Sequence, residues 1–102
     1  MQPIETEFED GRFRYTQLER HGDVALYCQE HKESHAQRFE VIRIRIQREH
    51  TWPTGVTTPE KEAYPGAGTW GKMGWTFFKR EEAEEKVAEL LATQESTPDA
   101  KL

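Results

Sequence analysis

Phe39 to Gln47 reads FEVIRIRIQ. Ile42, Ile44 and Ile46 alternate here with Val41, Arg43 and Arg45, the period of two that an extended strand imposes on its side chains. Isoleucines on one face and arginines on the other predict a sheet packed on one side and wetter on the other, the habit of antiparallel sheets.

Upstream, Arg12 to Arg20 and Val24 to Gln29 read as two strands around His21-Gly22-Asp23, where Gly22 supplies the φ > 0 that a tight turn needs. Phe13 and Tyr15 share one face while Leu18 falls on the other, which leaves room for a bulge. Val24, Leu26 and Cys28 share a face, with Ala25 and Tyr27 opposite. Glu30 to Arg38 is polar and reads as a loop. Residues 1–11 are acidic, show no sustained period, and read as a flexible arm.

Downstream, residues 48–69 form a long connection with Pro53, Gly55, Pro59, Pro65, Gly66 and Gly68, and loops of this length tend to be functional or mobile. Ala63 to Phe78, AYPGAGTWGKMGWTFF, carries Tyr64, Trp70, Trp75, Phe77 and Phe78 among four glycines. Rings want burial, and glycine permits close backbone approach. The stretch predicts an aromatic loop closing one end of the sheet, then a strand near Gly74 to Lys79. Arg80 to Ala92 follows as a helix, with Ala83, Val87, Leu90 and Leu91 on one stripe and four glutamates near its start. The expected fold is α+β: four antiparallel strands in the order β-β-β-loop-β-α with one C-terminal helix packed on them. Residues 12–92 form a single domain and 93–102 a flexible tail.

The chain has 102 residues and a net charge of -5, unevenly spread. Residues 1–11 carry four acids and no base; 12–80 carry twelve bases and eight acids; 81–102 carry seven acids and two bases. A mildly basic body between acidic ends differs from the strongly basic profile of dedicated nucleic-acid binders. The single cysteine, Cys28, points to a reducing compartment. No basic-then-apolar leader and no membrane-length apolar run is present, so a cytoplasmic protein with no membrane contact is expected.

Three constellations bear on chemistry. Cys28, His31 and His35 have a C-x2-H-x3-H spacing with zinc-ligand residue types and His50 as a fourth candidate, but the second close pair of a zinc finger is missing. No metal or other cofactor is expected. Nucleophilic catalysis needs Cys28 or a serine beside a histidine and a carboxylate. Cys28 falls on an apolar strand face, Ser34 in a polar loop and Ser96 in the tail, so no catalytic residue is assigned. The third is the set of aromatics and cations, Trp52, Tyr64, Trp70, Trp75, Arg43, Arg45 and Lys72, of the kind enriched at binding surfaces.

Trp70-Gly71-Lys72-Met73-Gly74, followed by a strand and a helix near Glu81-Glu82-Ala83, resembles the signature of the WGR domain, with Lys72 at the arginine position. That resemblance covers about the last third of the chain. It implies a nucleic-acid-binding module in which Trp70 and Lys72 make the contacts. The order hairpin, FEVIRI, Tyr64-Pro65, Trp70-Gly71, Gly74-Trp75 and helix is also similar to a family of small bacterial and phage proteins, which implies a stand-alone domain and nothing on activity. The reading favoured here is a non-catalytic module for protein–protein interaction or self-association through the aromatic loop. The alternative is nucleic-acid binding through Trp70, Lys72, Arg43 and Arg45.

Overall fold

The alternation in FEVIRIRIQ does place its first half in an interior strand of a sheet. The computed structural model describes residues 1–96, so the end of the tail expected over 93–102 lies outside the described residues. The strands are β1 (Glu7–Asp10), β2 (Phe13–His21), β3 (Val24–His31), β4 (Gln37–Arg43), β5 (Arg45–Gln47), β6 (His50–Thr51), β7 (Thr57–Thr58), β8 (Lys61–Ala63) and β9 (Gly74–Phe77). A short 3-10 turn spans Ala67–Thr69, and helix α1 spans Arg80–Ser96. The main sheet is antiparallel with order β1-β2-β3-β4-β9, and β5-β8 and β6-β7 form two small pairs beside it. The fold is therefore α+β as expected, with five strands in the main sheet rather than four. Among the described residues no helix is long and apolar enough to cross a membrane.

The hairpins follow the turn chemistry. Gly11 and Gly22 sit at φ 62° and 64° at the β1-β2 and β2-β3 turns. The expected bulge lies at Leu18, where the β2-β3 register shifts between Gln17 and Glu19. Leu18 keeps the helix side that alternation gives it, opposite Tyr15, and past the bulge Arg20 comes to share the side of its partner Ala25.

Both faces of the sheet are covered. Against one face, Ala83, Val87 and Leu90 of α1 bury Val24, Leu26 and Val41, with Phe39, Trp75 and Phe77 packed around them. Against the other, Ile4, Tyr15, Ala25, Tyr27, Ile42 and Ile44 form a second cluster joined by Phe8, Phe13 and Tyr64. Tyr27, Leu26, Ile42, Val24 and Val41 are fully enclosed. Each such side chain contributes about 1.5–3 kcal/mol of transfer free energy. Val41 is thus as dry as Ile42, because the helix covers the face that was expected to be wetter.

Two expectations need correction. Phe39 to Gln47 is not one strand: β4 ends at Arg43, Ile44 N–H turns to the Asp23 carbonyl at 2.6 Å, and β5 leaves to pair with β8. Ile42 and Ile44 are buried, but Ile46 past the break is 46% exposed. Residues 1–11, expected as a loose arm, instead supply β1 and the buried Ile4. Glu62 is the clasp that holds this segment down. Its carboxylate accepts the Ile4 N–H at 3.0 Å and two N–H groups of Arg20 at 2.7 Å each. The Tyr27 hydroxyl donates to the Glu5 carbonyl at 2.6 Å close by.

Candidate functional site

The arrangement around Tyr64 and Trp70 begins with glycine. Gly71 takes φ 95°, which lets the chain reverse after Trp70 and donate its N–H to the Gly74 carbonyl at 2.7 Å. The reversal folds the Trp70 ring back across Gly74 of β9. A Cβ built at Gly74 would lie 2.4 Å from the ring, so only glycine fits beneath it. The indole N–H donates to Thr76 Oγ1 at 2.9 Å, which fixes the ring's direction. Trp70 remains 37% exposed.

Tyr64, just past β8, is the hub of an aromatic cluster. Its ring centroid lies 5.2 Å from Tyr27, 5.5 Å from Phe8, 5.8 Å from Tyr15 and 6.5 Å from Trp70, with the Trp70 plane only 22° away. Its hydroxyl donates to Glu40 Oε1 at 2.7 Å. Burial, then the adjoining Glu40 charge, push the Tyr64 phenol well above its ordinary value, so it acts as a donor.

Glu40 is the unusual group. Only 8% exposed on β4 between Tyr27 and Thr76, it is an acid on the face of Ile42. Gln29 Nε2 donates to its Oε2 at a long 3.4 Å and to the Tyr15 hydroxyl at 2.9 Å. Burial raises the carboxyl above the usual range, while the Tyr64 and Thr76 hydroxyls and the more distant Arg38 charge pull it back. Donated hydrogen bonds of this kind are what make a buried carboxylate tolerable.

Between these groups lies a groove of about 390 Å³. The sheet supplies Asp10, Tyr15 and Glu40; the loop supplies Tyr64, Pro65, Ala67 and Trp70. Its size falls within the usual range of ligand sites, roughly 300–1,000 Å³. A smaller cavity of about 200 Å³ lies beside Ile4 and Glu62, but its carboxylate already holds Arg20 and the Ile4 N–H.

Of the residues singled out from the sequence, the structure brings Tyr64 and Trp70 together and disperses the rest. Trp75 points to the opposite face, with Lys86 Nζ 4.5 Å from its ring centroid. Trp52 belongs to the β6-β7 hairpin, 51% exposed, edge-on to His50 at 4.3 Å and donating to Thr58 Oγ1 at 3.0 Å. Arg43 stands 3.6 Å from Asp23, while Arg45 is exposed on β5 beyond the break at Ile44. Lys72 is exposed in the turn before β9.

Cys28, His31 and His35 do not converge. Strand alternation places Cys28 and His31, three positions apart on β3, on opposite faces. His31 Nδ1 instead faces the Glu33 and Ser34 N–H groups at 3.2 and 3.3 Å, and His35 meets Glu30 at 2.8 Å. Among the described residues no group of three or more His, Cys, Asp or Glu side chains is placed to hold a metal ion. Burial, then the nearby Glu30 charge, raise the Cys28 thiol above its ordinary value, which keeps it protonated and a poor nucleophile.

Glu40, Tyr15, Gln29 and Asp10 escaped the sequence reading. The signal for Glu40 was present: Glu40, Ile42 and Ile44 are two apart, so an acid shares the face of the core isoleucines. No family model, curated protein or solved structure matches this chain, so the groove is interpreted from its own geometry.

Proposed function

We propose that the chain is a non-catalytic binding module that takes a segment of a partner protein in the groove between Trp70 and Tyr15. The observation that carries this reading is a solvent-open groove walled by tyrosine and tryptophan rings, each locked by a hydrogen bond to a side chain beneath it. Rigid aromatic surfaces of this kind lose little entropy on binding and dominate interface energetics. Asp10 and Glu40 line the groove and no lysine or arginine does, so a phosphate backbone meets repulsion there. Lys72, Arg43 and Arg45 lie outside its lining, which weighs against nucleic acid as the ligand of Trp70.

Panning a random heptapeptide library against the wild-type chain and the Trp70→Ala variant tests the reading. Peptides that bind the first and not the second are expected. If no such peptide emerges, and single-stranded DNA quenches tryptophan emission in a salt-sensitive way that Lys72→Ala abolishes, nucleic-acid binding replaces it. A second copy of the chain as the occupant would register as concentration-dependent sedimentation lost in Trp70→Ala.

A further inference from the structure

The groove combines two kinds of surface that attract the same ligand. Tyr15, Tyr64 and Trp70 line it with π-systems whose faces carry negative quadrupole charge, and Glu40 and Asp10 line it with carboxylates. Among the described residues no lysine or arginine forms an ion pair with either acid; the bases pair elsewhere, as Arg20 with Glu62, Lys32 with Glu9 and Arg43 with Asp23. Glu40 is nine-tenths buried, and its hydrogen-bond donors are all neutral: the Tyr64 hydroxyl at 2.7 Å, the Thr76 hydroxyl, and Gln29 at a long 3.4 Å, with Arg38 acting only as a more distant charge. A carboxylate offers about four lone-pair sites, so acceptor capacity remains for an incoming N–H. A buried negative charge with no cation in direct contact is costly, and a ligand cation relieves that cost.

We infer that the groove receives an arginine side chain of the partner segment, with its guanidinium against the Tyr64 and Trp70 rings and N–H groups directed to Glu40 and Asp10. This rests on the groove being the partner site proposed above. Arginine is preferred to lysine on three counts. Its cation is planar and stacks on rings, its five donors serve two carboxylates at once, and its weaker hydration lowers the cost of leaving water. An acidic or phosphorylated segment is disfavoured by the same charges.

The probes are acetyl-Gly-Arg-Gly-amide, its citrulline counterpart, which keeps the shape and loses the charge, and its lysine counterpart. Binding is followed by chemical-shift titration of the Trp70 indole N–H in the whole chain. The arginine peptide is expected to bind roughly tenfold or more tightly than the citrulline peptide, and more tightly than the lysine peptide. Glu40→Gln, which keeps an acceptor for the Tyr64 hydroxyl, should bring arginine to within about threefold of citrulline while the melting temperature is not lowered. Equal binding of arginine and citrulline, a lysine peptide as tight as arginine, or no shift with arginine up to about 10 mM overturns the inference. The library separates the two levels of failure. Trp70-dependent peptides without arginine sink the guanidinium and leave the groove standing, whereas an absence of Trp70-dependent peptides removes the groove itself.

Discussion

Replacing Gly74 with alanine should destabilise the fold through one side chain, Trp70. Gly74 has no positive φ, so alanine suits its backbone, and strand propensity alone predicts a gain of about 0.5–1 kcal/mol. The added methyl, however, falls 2.4 to 2.7 Å from three atoms of the Trp70 ring, inside any real contact distance. The ring must swing outward. It is now 37% exposed. Uncovering a further ~80 Å² of its surface costs about 2 kcal/mol at 25 cal/mol per Å². Losing the 2.9 Å bond from its indole N–H to Thr76 adds about 1 kcal/mol. After the propensity gain, a net loss of about 2 kcal/mol remains, roughly 8–16 °C in Tm for a domain of this size. The assay is a double-mutant cycle by urea or thermal unfolding, with Gly74→Ala made in the wild type and in a Trp70→Ala background. In the second background the methyl has nothing to strike, and alanine should be neutral or stabilising. An equal loss in both backgrounds would refute the steric argument, as would a Gly74→Ala protein with unchanged Tm.

Three further outcomes are expected. Glu62 is held at about 2 against an ordinary 4.5, first by the Arg20 hydrogen bonds and then by the Ile4 N–H. Its stabilisation is therefore present above pH ~4.5 and lost as the pH falls toward 2, and Glu62→Gln should cost about 1–2 kcal/mol at pH 7, after screening at a partly exposed pair, and almost nothing at pH 2. Glu40 has the opposite sign: burial raises its carboxyl in the folded chain, so the native state is penalised as pH rises through the unfolded and then the folded value. Glu40→Gln should thus raise Tm at pH 7 and match wild type near pH 3, and a lowered Tm at pH 7 would contradict this. Tyr64→Phe removes the 2.7 Å donor from Glu40 and should cost about 1–3 kcal/mol in urea unfolding, while shifting the Glu40 NMR titration further upward; an unmoved titration would show that the hydroxyl does not hold the acid.

The parts of the fold legible in the sequence are those with an unbroken period. The stripe Ala83, Val87, Leu90 and the alternation Val24 to Cys28 each placed residues correctly, and Gly22 marked its turn because few other residues take that φ. The Leu18 bulge was not fixed by the pattern, since Tyr15 and Leu18, three apart, lie on opposite faces of any regular strand. Strand β1 was masked by charge: Phe8 is its one apolar residue, and the acids around it look like a solvated arm. The break at Ile44 left no mark on the pattern, since the bonds that end β4 come from the distant Asp23 and Met73 carbonyls. For the site, Tyr64 and Trp70 were visible as rings among glycines. Their carboxylate floor was not, because Glu40 owes its role to what the loop, folding back from residue 64, lays over it.

The Glu62 clasp has a kinetic meaning. It joins Ile4 to a carboxylate 58 positions away, beside a backbone bond between Gln2 and Glu62. Closing so long a loop costs entropy before any contact rewards it, so the hairpins of β1 to β4, with short closures, form ahead of it. The clasp is then expected to be absent from the folding transition state and to form in the descent after it. Loosening it with Arg20→Ala should leave the folding limb of a denaturant chevron nearly unchanged and raise the unfolding limb; a slowed folding limb would contradict this. The first five residues act less as part of the nucleus than as a latch on the native state's lifetime.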